Sequence, residues 1–152
     1  MDTQKDKSAF QFTNPELVRS IFVTSEEYEV KKTETFKMNV EPSLGKLEDF
    51  DDNTRMAEVI LSVHNTDING KGIEEELKEK PYVVFITMKA YFRWSKDSIK
   101  KKDEEHYLKI NAASLLLSYI RPLLSQLTGM SRFNIQTIPF IDFTSMADSE
   151  KN

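Results

Sequence analysis

Three stretches of this chain have apolar residues at every second position, which is the repeat of a half-buried β-strand, and a fourth, over 17–23, is a β-branched and aromatic run with apolar residues on both parities. The stretches cover residues 17–23, 36–40, 57–63 and 82–94. In the last and longest of them, every second residue from Tyr82 to Trp94 is apolar or aromatic, without a polar interruption. Short polar connections separate the stretches, which favours a four-stranded antiparallel sheet over βαβ units.

Turn-forming residues mark the ends of these predicted strands. Pro42 and Gly45 are expected to close the second strand, and residues 47–53 are expected to form a loop. Residues 65–72 contain Asn69-Gly70 and have the composition of a turn.

A helical pattern replaces the strand pattern after a charged connection. The polar positions of this region are spaced 3, 4, 3, 4 and 3 residues apart, which is the helical period; they are Asn111, Ser114, Ser118, Arg121, Ser125 and Thr128. Most other positions are apolar, so we expect a helix that is buried on most sides. Pro122 lies inside it and predicts a kink, and Gly129 is expected to end it. The fold class is therefore α+β, with a long kinked helix after the sheet.

The polar stripe of this helix consists of small, uncharged residues apart from one arginine, whereas a solvated stripe would carry Glu and Lys. Small side chains allow another backbone to approach closely. Contact with the chain's own sheet would explain the stripe, but the apolar flanks on both sides favour burial between subunits of a homo-oligomer. The candidate oligomer interface is Asn111, Ser114, Ser118, Arg121 and Ser125.

A length of 152 residues suits one domain. We expect a disordered N-terminal segment over 1–14, the domain over 15–143 and a flexible C-terminal tail over 144–152. An apolar segment follows the helix and is either a strap over the sheet edge or the wall of an open groove; it contains Phe133, Ile135, Ile138, Phe140, Ile141 and Phe143.

Composition narrows the classes of function. The chain has 21 Lys+Arg and 25 Asp+Glu, a net charge of −4 that argues against a protein whose main task is gripping phosphate backbones. It has no cysteine, which excludes disulfides, thiolate zinc sites and cysteine nucleophiles. There is no apolar run of about 18 residues and no signal-peptide pattern, so we expect a cytoplasmic protein without direct membrane insertion.

No residue pattern in this chain makes a positive case for catalysis. His64 and Asp67 could form a metal pair, but a histidine beside a turn is the simpler interpretation, and His106 is expected to be a solvated side chain. An acidic cluster lacks the glycine and distal glutamate of a calcium loop; its members are Asp49, Asp51 and Asp52. No phosphate-binding or nucleophile-elbow motif occurs. We expect no enzyme activity, no cofactor and no metal.

The order of elements resembles the SecB family of cytoplasmic export chaperones. The resemblance rests on residues 111–143, where Tyr119 and Arg121 stand in the family's Tyr-x-Arg position of the long helix. The segment after the helix is similar to the family's loop and its Pro-x-(Asn/Asp)-Phe motif, through Thr128–Gly129, Ile138–Pro139 and Asp142–Phe143. Phe92 and Trp94, at the end of the fourth predicted strand, are similar to the aromatic residues that end this strand in the family.

This resemblance implies a homotetramer, a dimer of dimers whose helices lie between two eight-stranded layers. It implies an ATP-independent holdase that keeps unfolded or pre-secretory proteins in long apolar grooves, and so a role in protein transport and translocation. The client-binding groove that the resemblance implies is Phe36, Met38, Val40, Leu44, Leu47, Phe50, Phe133, Ile135, Ile138 and Phe140.

Two departures from the family pattern leave alternatives open. SecB is handed to the motor SecA partly through acidic residues, for which the resemblance offers Glu26, Glu27 and Glu29, but the acidic position expected on the fourth strand falls near Phe85. We also expect no counterpart of the family's C-terminal helix in residues 144–152, which follow Phe143. A dedicated SecB-like chaperone of an antitoxin therefore stays an alternative, as does an adaptor that binds one partner peptide. A small-molecule-binding protein would instead require a closed apolar cavity.

Overall fold

An antiparallel sheet with a long helix across one face forms the computed structural model, which describes residues 10–29, 37–67, 72–133 and 143–144. The strands are β1 (Phe10–Phe12), β2 (Glu16–Thr24), β3 (Asn39–Leu44), β4 (Glu48–Asp49), β5 (Thr54–His64) and β6 (Tyr82–Ser95). The helices are α1 (Ile73–Glu76), α2 (Glu104–Tyr107) and α3 (Ala113–Gly129). The predicted α+β class is confirmed.

The two longest strands, β5 and β6, form the centre of the sheet. β6 pairs with β1 and β2 along one side and with β5 along the other, and β5 pairs in turn with β3 and β4. Every pairing is antiparallel, as the short connections predict. β1 and β2 therefore lie at one edge of the sheet, and β3 and β4 lie at the other.

The two faces of β6 differ because its side chains alternate across the sheet. The apolar parity from Tyr82 to Trp94 is at most 8% exposed and forms the core with α3. Leu116, Ile120 and Leu124 recur at every fourth position of α3 and are fully buried, as expected for the helix stripe that contacts the sheet. We call this side the helix face and the opposite side the outer face.

The helical region is longer than the polar spacing predicts. It begins with a 3₁₀ turn at Lys101–Asp103 and continues through α2 and a π-helical turn at Leu108–Ala112 into α3. Pro122 lies inside α3, and Gly129 is its last residue, as expected. No helix in the described part of the chain is long and apolar enough to cross a membrane.

The expectation that Pro42 closes a strand is wrong, since β3 runs from Asn39 through Pro42 to Leu44. Gly45 N–H donates to Glu58 O at 2.8 Å, so by alternation the N–H groups of residues 39, 41 and 43 also point toward β5. The nitrogen of Pro42 then points away from β5, where its missing hydrogen costs no ladder bond. An edge strand tolerates proline for this reason.

The expectation of a disordered start is wrong for Phe10–Phe12, which form β1 and pair with the last third of β6. The Phe10 ring lies 5.2 Å from the rings of both Phe92 and Tyr107, so aromatic packing holds this short strand in place. The loop expected over 47–53 likewise contains the two-residue strand β4. The remaining domain boundaries stay predictions.

The connection between β5 and β6 is held by a buried polar network. The Asn65 side chain accepts from Val84 N–H at 2.9 Å and donates to Tyr82 O at 2.8 Å. Thr66 and Lys80 both donate to the carboxylate of Glu76, which is 7% exposed. Burial favours the protonated acid, but these hydrogen bonds and the Lys80 charge outweigh it and lower the pKa of Glu76.

A second buried network fastens α2 to the sheet. Glu104 is 1% exposed, and its Oε2 accepts from Arg55 Nε at 2.7 Å and from Trp94 Nε1 at 3.1 Å. Arg55 also donates to Asp49 Oδ1 at 2.7 Å. Two strands, β5 and β6, therefore contact α2 at Glu104, and β4 joins the network through Arg55.

Candidate functional site

A row of half-buried apolar side chains follows the β3 edge on the helix face. All of them pack against the core without being enclosed by it; they are Met38, Val40, Leu44 and Leu47. β3 pairs with β5, and no second strand pairs with it among the described residues. The main-chain groups of Val40, Pro42 and Leu44 therefore point away from the sheet. This surface offers both apolar contacts and hydrogen-bonding groups to an extended chain.

Phe50 lies away from this row. It follows β4, and its ring is 4.6 Å from the guanidinium of Arg93, whose parity in β6 places that side chain on the outer face. Phe50 is 50% exposed. The structure thus separates Phe50 from the apolar row of β3.

The beginning of the segment after α3 is fastened to the loop after β2. Arg132 donates to Ser25 O at 3.0 Å and to Tyr28 O at 2.7 Å. Phe133 is buried, with its ring 6.4 Å from the rings of Tyr28 and Tyr82. The other candidate groove residues, Phe36, Ile135, Ile138 and Phe140, lie outside the described residues.

The acidic residues offered for motor docking are exposed in the loop after β2. Glu26 and Glu27 border a cleft of about 880 Å³ between this loop and α1, whereas Glu29 does not line it. The rest of this cleft is lined by apolar and aromatic side chains, two hydroxyl-bearing residues, one more glutamate and one lysine; these are Val23, Tyr28, Ile73, Leu77, Thr24, Ser25, Glu74 and Lys78. The role of this loop in docking stays a prediction.

The small-residue stripe of α3 lies partly at the surface. Asn111, Ser114 and Ser118 are exposed, and Arg121 and Ser125 are half-buried. The hydroxyls turn back on their own helix: Ser114 Oγ donates to Ile110 O at 2.6 Å, and Ser118 Oγ donates to Leu115 O at 2.5 Å. Hydroxyls satisfied in this way leave a smooth helix surface that a second helix could approach. The role of this stripe as an oligomer interface stays a prediction.

His64 and Phe85 form a stacked pair on the outer face, with ring centroids 4.9 Å apart. One ring nitrogen of His64 lies 2.9 Å from Thr66 O, and the other lies 3.2 Å from Glu41 Oε1. The guanidinium of Arg19 lies 5.1 Å from the centroid of the Phe85 ring. The position where the resemblance expects an acid therefore carries an aromatic ring in a packed cluster.

Sequence reasoning missed two features that long-range contacts create. Glu104 stood in a run of charges that has the pattern of a solvated connection, yet Arg55 reaches it from 49 residues away. Arg93 and Phe50 meet in a cleft on the outer face, although 42 residues separate them. Alternation along β6 could have placed Arg93 on that face, but nothing local indicates its partner.

Two solved structures share this architecture. One is the SecB-like chaperone of Mycobacterium tuberculosis in complex with a ChAD peptide from the HigA1 antitoxin, with a TM-score of 0.57 and 15% identity over 88% of this chain and 91% of that chain. The other is a protein of unknown function from Streptococcus agalactiae, with a TM-score of 0.53 and 12% identity over 86% of this chain and 97% of that chain. No family model and no curated protein sequence matches the chain. At such low identity the likeness establishes the fold alone, and this chain has a SecB-like fold.

Proposed function

We propose that this protein is an ATP-independent chaperone that holds an extended, apolar polypeptide segment along β3, and that its client is one dedicated partner of the antitoxin kind. The observation that carries the proposal is the β3 edge, which combines a half-buried apolar row with main-chain groups that point away from β5. Together these features suit an incoming strand.

The physical chemistry of such an edge suits a chaperone. Burial of apolar surface is non-directional and contributes about 25 cal/mol per Å². Main-chain hydrogen bonds are available to every sequence. Neither apolar burial nor main-chain pairing therefore requires a folded client or a chemical step. Pro42 removes one outward donor, which leaves Val40 and Leu44 as the donors of β3 toward an incoming chain.

A dedicated client is favoured over a general one by the neighbour in which a SecB-like chaperone is bound to an antitoxin peptide. A general holdase for unfolded or pre-secretory proteins is the second candidate. Delivery to SecA would belong to that second candidate, with Glu26, Glu27 and Glu29 as the docking residues. The packed ring of Phe85 argues against it, because the acid expected on that strand is missing.

The test combines a photo-crosslinker with light scattering. A benzoyl-phenylalanine at Leu44, introduced into the full chain in its own cells, is expected to yield one predominant adduct that mass spectrometry identifies as an antitoxin. The same group at Gln126, an exposed position on α3, is the matched control and should yield far less. Dilution of an unrelated, chemically unfolded protein into the purified chain is expected to scatter light as strongly as dilution into buffer.

Each other outcome contradicts a different part of the proposal. Suppression of scattering at a near-stoichiometric ratio, with many adducts at Leu44, would replace the dedicated client with the general holdase. Equal adduct yields at Leu44 and Gln126 would remove β3 as the binding surface. A single adduct with a stably folded partner would indicate the adaptor.

We also propose a homotetramer built through the exposed stripe of α3. Ser118→Glu would place a charge where a second helix is expected to pack closely, so the variant should form dimers or monomers. Light scattering coupled to gel filtration measures the mass, and Ser118→Ala is the control, because it retains the small size of the side chain. An unchanged mass for Ser118→Glu would contradict the proposed interface.

A further inference from the structure

A cleft on the outer face, across the sheet from α3, is separate from the β3 edge. It encloses about 370 Å³, which lies within the range of sites that hold a small ligand or a few side chains. The outer-face residues that line it come from β1, β5, β6 and the loop after β4; they are Gln11, Thr13, Phe50, Met56, Tyr91 and Arg93. We call it the Arg93 cleft.

Apolar surface makes up much of this cleft. Phe50 is 50% exposed and Tyr91 is 45% exposed, so two large aromatic side chains on the same sheet face are open to solvent. The Tyr91 side chain interacts with Glu58 on the same face, and Tyr91 and Met56 both line the cleft. Such rings and a thioether suit contact with another flat, apolar side chain.

The positive charge of the cleft has no carboxylate at salt-bridge distance in the part of the chain that the structure describes. Arg93 Nη2 donates to Gln11 Oε1 at 2.6 Å, and the guanidinium packs against the Phe50 ring. Over the described ranges 10–29, 37–67, 72–133 and 143–144, no carboxylate lies within 4.0 Å of Arg93, whereas Lys89 on the same face pairs with Glu58 at 3.7 Å.

Asp51 lies near enough for the charge of Arg93 to help lower its pKa, after the larger effect of hydrogen bonds from Asn53 and Thr54, but its carboxylate is directed to those hydrogen bonds. Its Oδ1 accepts from Asn53 N–H, Thr54 N–H and the Thr54 hydroxyl at 2.8–2.9 Å. A guanidinium has five N–H donors, so Arg93 retains several for a ligand. An arginine that is stacked on a ring is also oriented for hydrogen bonding to a carboxylate.

We infer that the Arg93 cleft docks an aromatic side chain of a partner protein whose adjacent aspartate or glutamate pairs with Arg93. The apolar rings recognise the aromatic group, and charge complementarity selects the acidic neighbour. The Arg93 cleft lies on the outer face, whereas the apolar row of β3 lies on the helix face. The inference therefore does not depend on the proposed client site.

The experiment uses two end-blocked tetrapeptides, Gly-Trp-Asp-Gly and Gly-Trp-Asn-Gly, which differ only in charge. Each is titrated into the full chain labelled with ¹³C at its methionine methyl groups, and the Met56 resonance, identified with Met56→Leu, reports the cleft. A charge-assisted hydrogen bond is worth about 1.5 kcal/mol or more, so we expect the aspartate peptide to bind about tenfold more tightly.

Arg93→Gln should abolish this preference. Arg19→Gln is the matched control, because Arg19 also packs on a ring of the outer face but lies outside the cleft; it should retain the tenfold ratio. Thermal melts of both variants verify that they fold.

Four results would overturn the inference. Equal affinities of the two peptides would show that the cleft does not recognise the charge. The absence of a Met56 shift would show that the peptides do not bind in the cleft. An undiminished preference in Arg93→Gln would assign the charge to another cation. A change in oligomeric mass on Arg93→Gln would identify the cleft as a contact between copies of this chain. Val40→Pro, which perturbs the β3 edge, should leave the peptide preference intact, so failure here is distinct from failure of the proposed client site.

Discussion

Replacement of Glu104 by alanine is expected to lower the free energy of unfolding by about 3 kcal/mol, among the largest effects of any single change outside the apolar core. Removal of one partner of a buried pair typically costs about 3–5 kcal/mol, because the remaining charge stays desolvated. The lower end applies here, since the Arg55 side chain keeps 14% exposure and a second bond to Asp49. The indole N–H of Trp94 would also lose its acceptor.

Chemical denaturation of Glu104→Ala at neutral pH measures this effect. Glu105→Ala is the matched control, because Glu105 is the exposed neighbour in the same helix and should change stability by less than about 0.5 kcal/mol. The double variant Arg55→Met, Glu104→Met should recover part of the loss, because it leaves no buried charge without a partner. A loss for Glu104→Ala no greater than that for Glu105→Ala would show that the network does not stabilise the fold.

The contact between Arg55 and Asp49 depends on pH through the aspartate. The hydrogen bonds from Arg55 to Glu104 and Asp49 raise the pKa of Arg55, so the guanidinium stays charged at every accessible pH. The same contact with Arg55 lowers the pKa of Asp49, so that bond persists above the ordinary pKa of an aspartate and is lost as the pH falls through the lowered value.

Val40→Pro is expected to weaken client binding about tenfold. Val40 shares the parity of Pro42, so its N–H points away from β5 and the substitution removes no bond of the sheet. It does remove a donor that an incoming strand would use, and one such bond contributes up to about 1.5 kcal/mol. The ring would also crowd the approaching main chain.

Fluorescence anisotropy measures this effect with a labelled peptide from the partner that crosslinks at Leu44. Val40→Thr is the matched control, because it keeps both the N–H and the β-branched shape, and it should bind within about twofold of the unaltered chain. Equal affinities for Val40→Pro and Val40→Thr would contradict main-chain pairing between the client and β3. The client would then bind the apolar row through side-chain contacts alone.

The local pattern of apolar and polar residues predicted much of the fold. The alternation from Tyr82 to Trp94 predicted both the strand and the face that α3 buries, because a strand with one apolar face must be covered. The polar spacing from Asn111 onward predicted the helix, although its first turns, including the buried Glu104, lie in the preceding charged connection. Gly129 ended the helix where expected.

The candidate site could be predicted only in part. Met38, Val40, Leu44 and Leu47 lie together along β3, because alternation and strand pairing place them on one face. Phe50 belongs elsewhere, since a short hairpin carries it to the outer face, where it meets Arg93. The sequence position of a loop residue does not indicate which face of the sheet the loop will cover.

Local sequence is enough to predict which residues alternate, which recur at the helical period and which must be buried, because these properties depend on backbone geometry over a few neighbouring residues. Tertiary structure decided what depends on pairing across the chain. Pro42 continues a strand because the strand lies at an edge, Phe10–Phe12 become ordered because Phe92 and Tyr107 offer aromatic surface, and Glu104 is buried because Arg55 supplies its counter-charge. Each of these outcomes requires a partner distant in sequence, and such a partner is defined only once the sheet has formed.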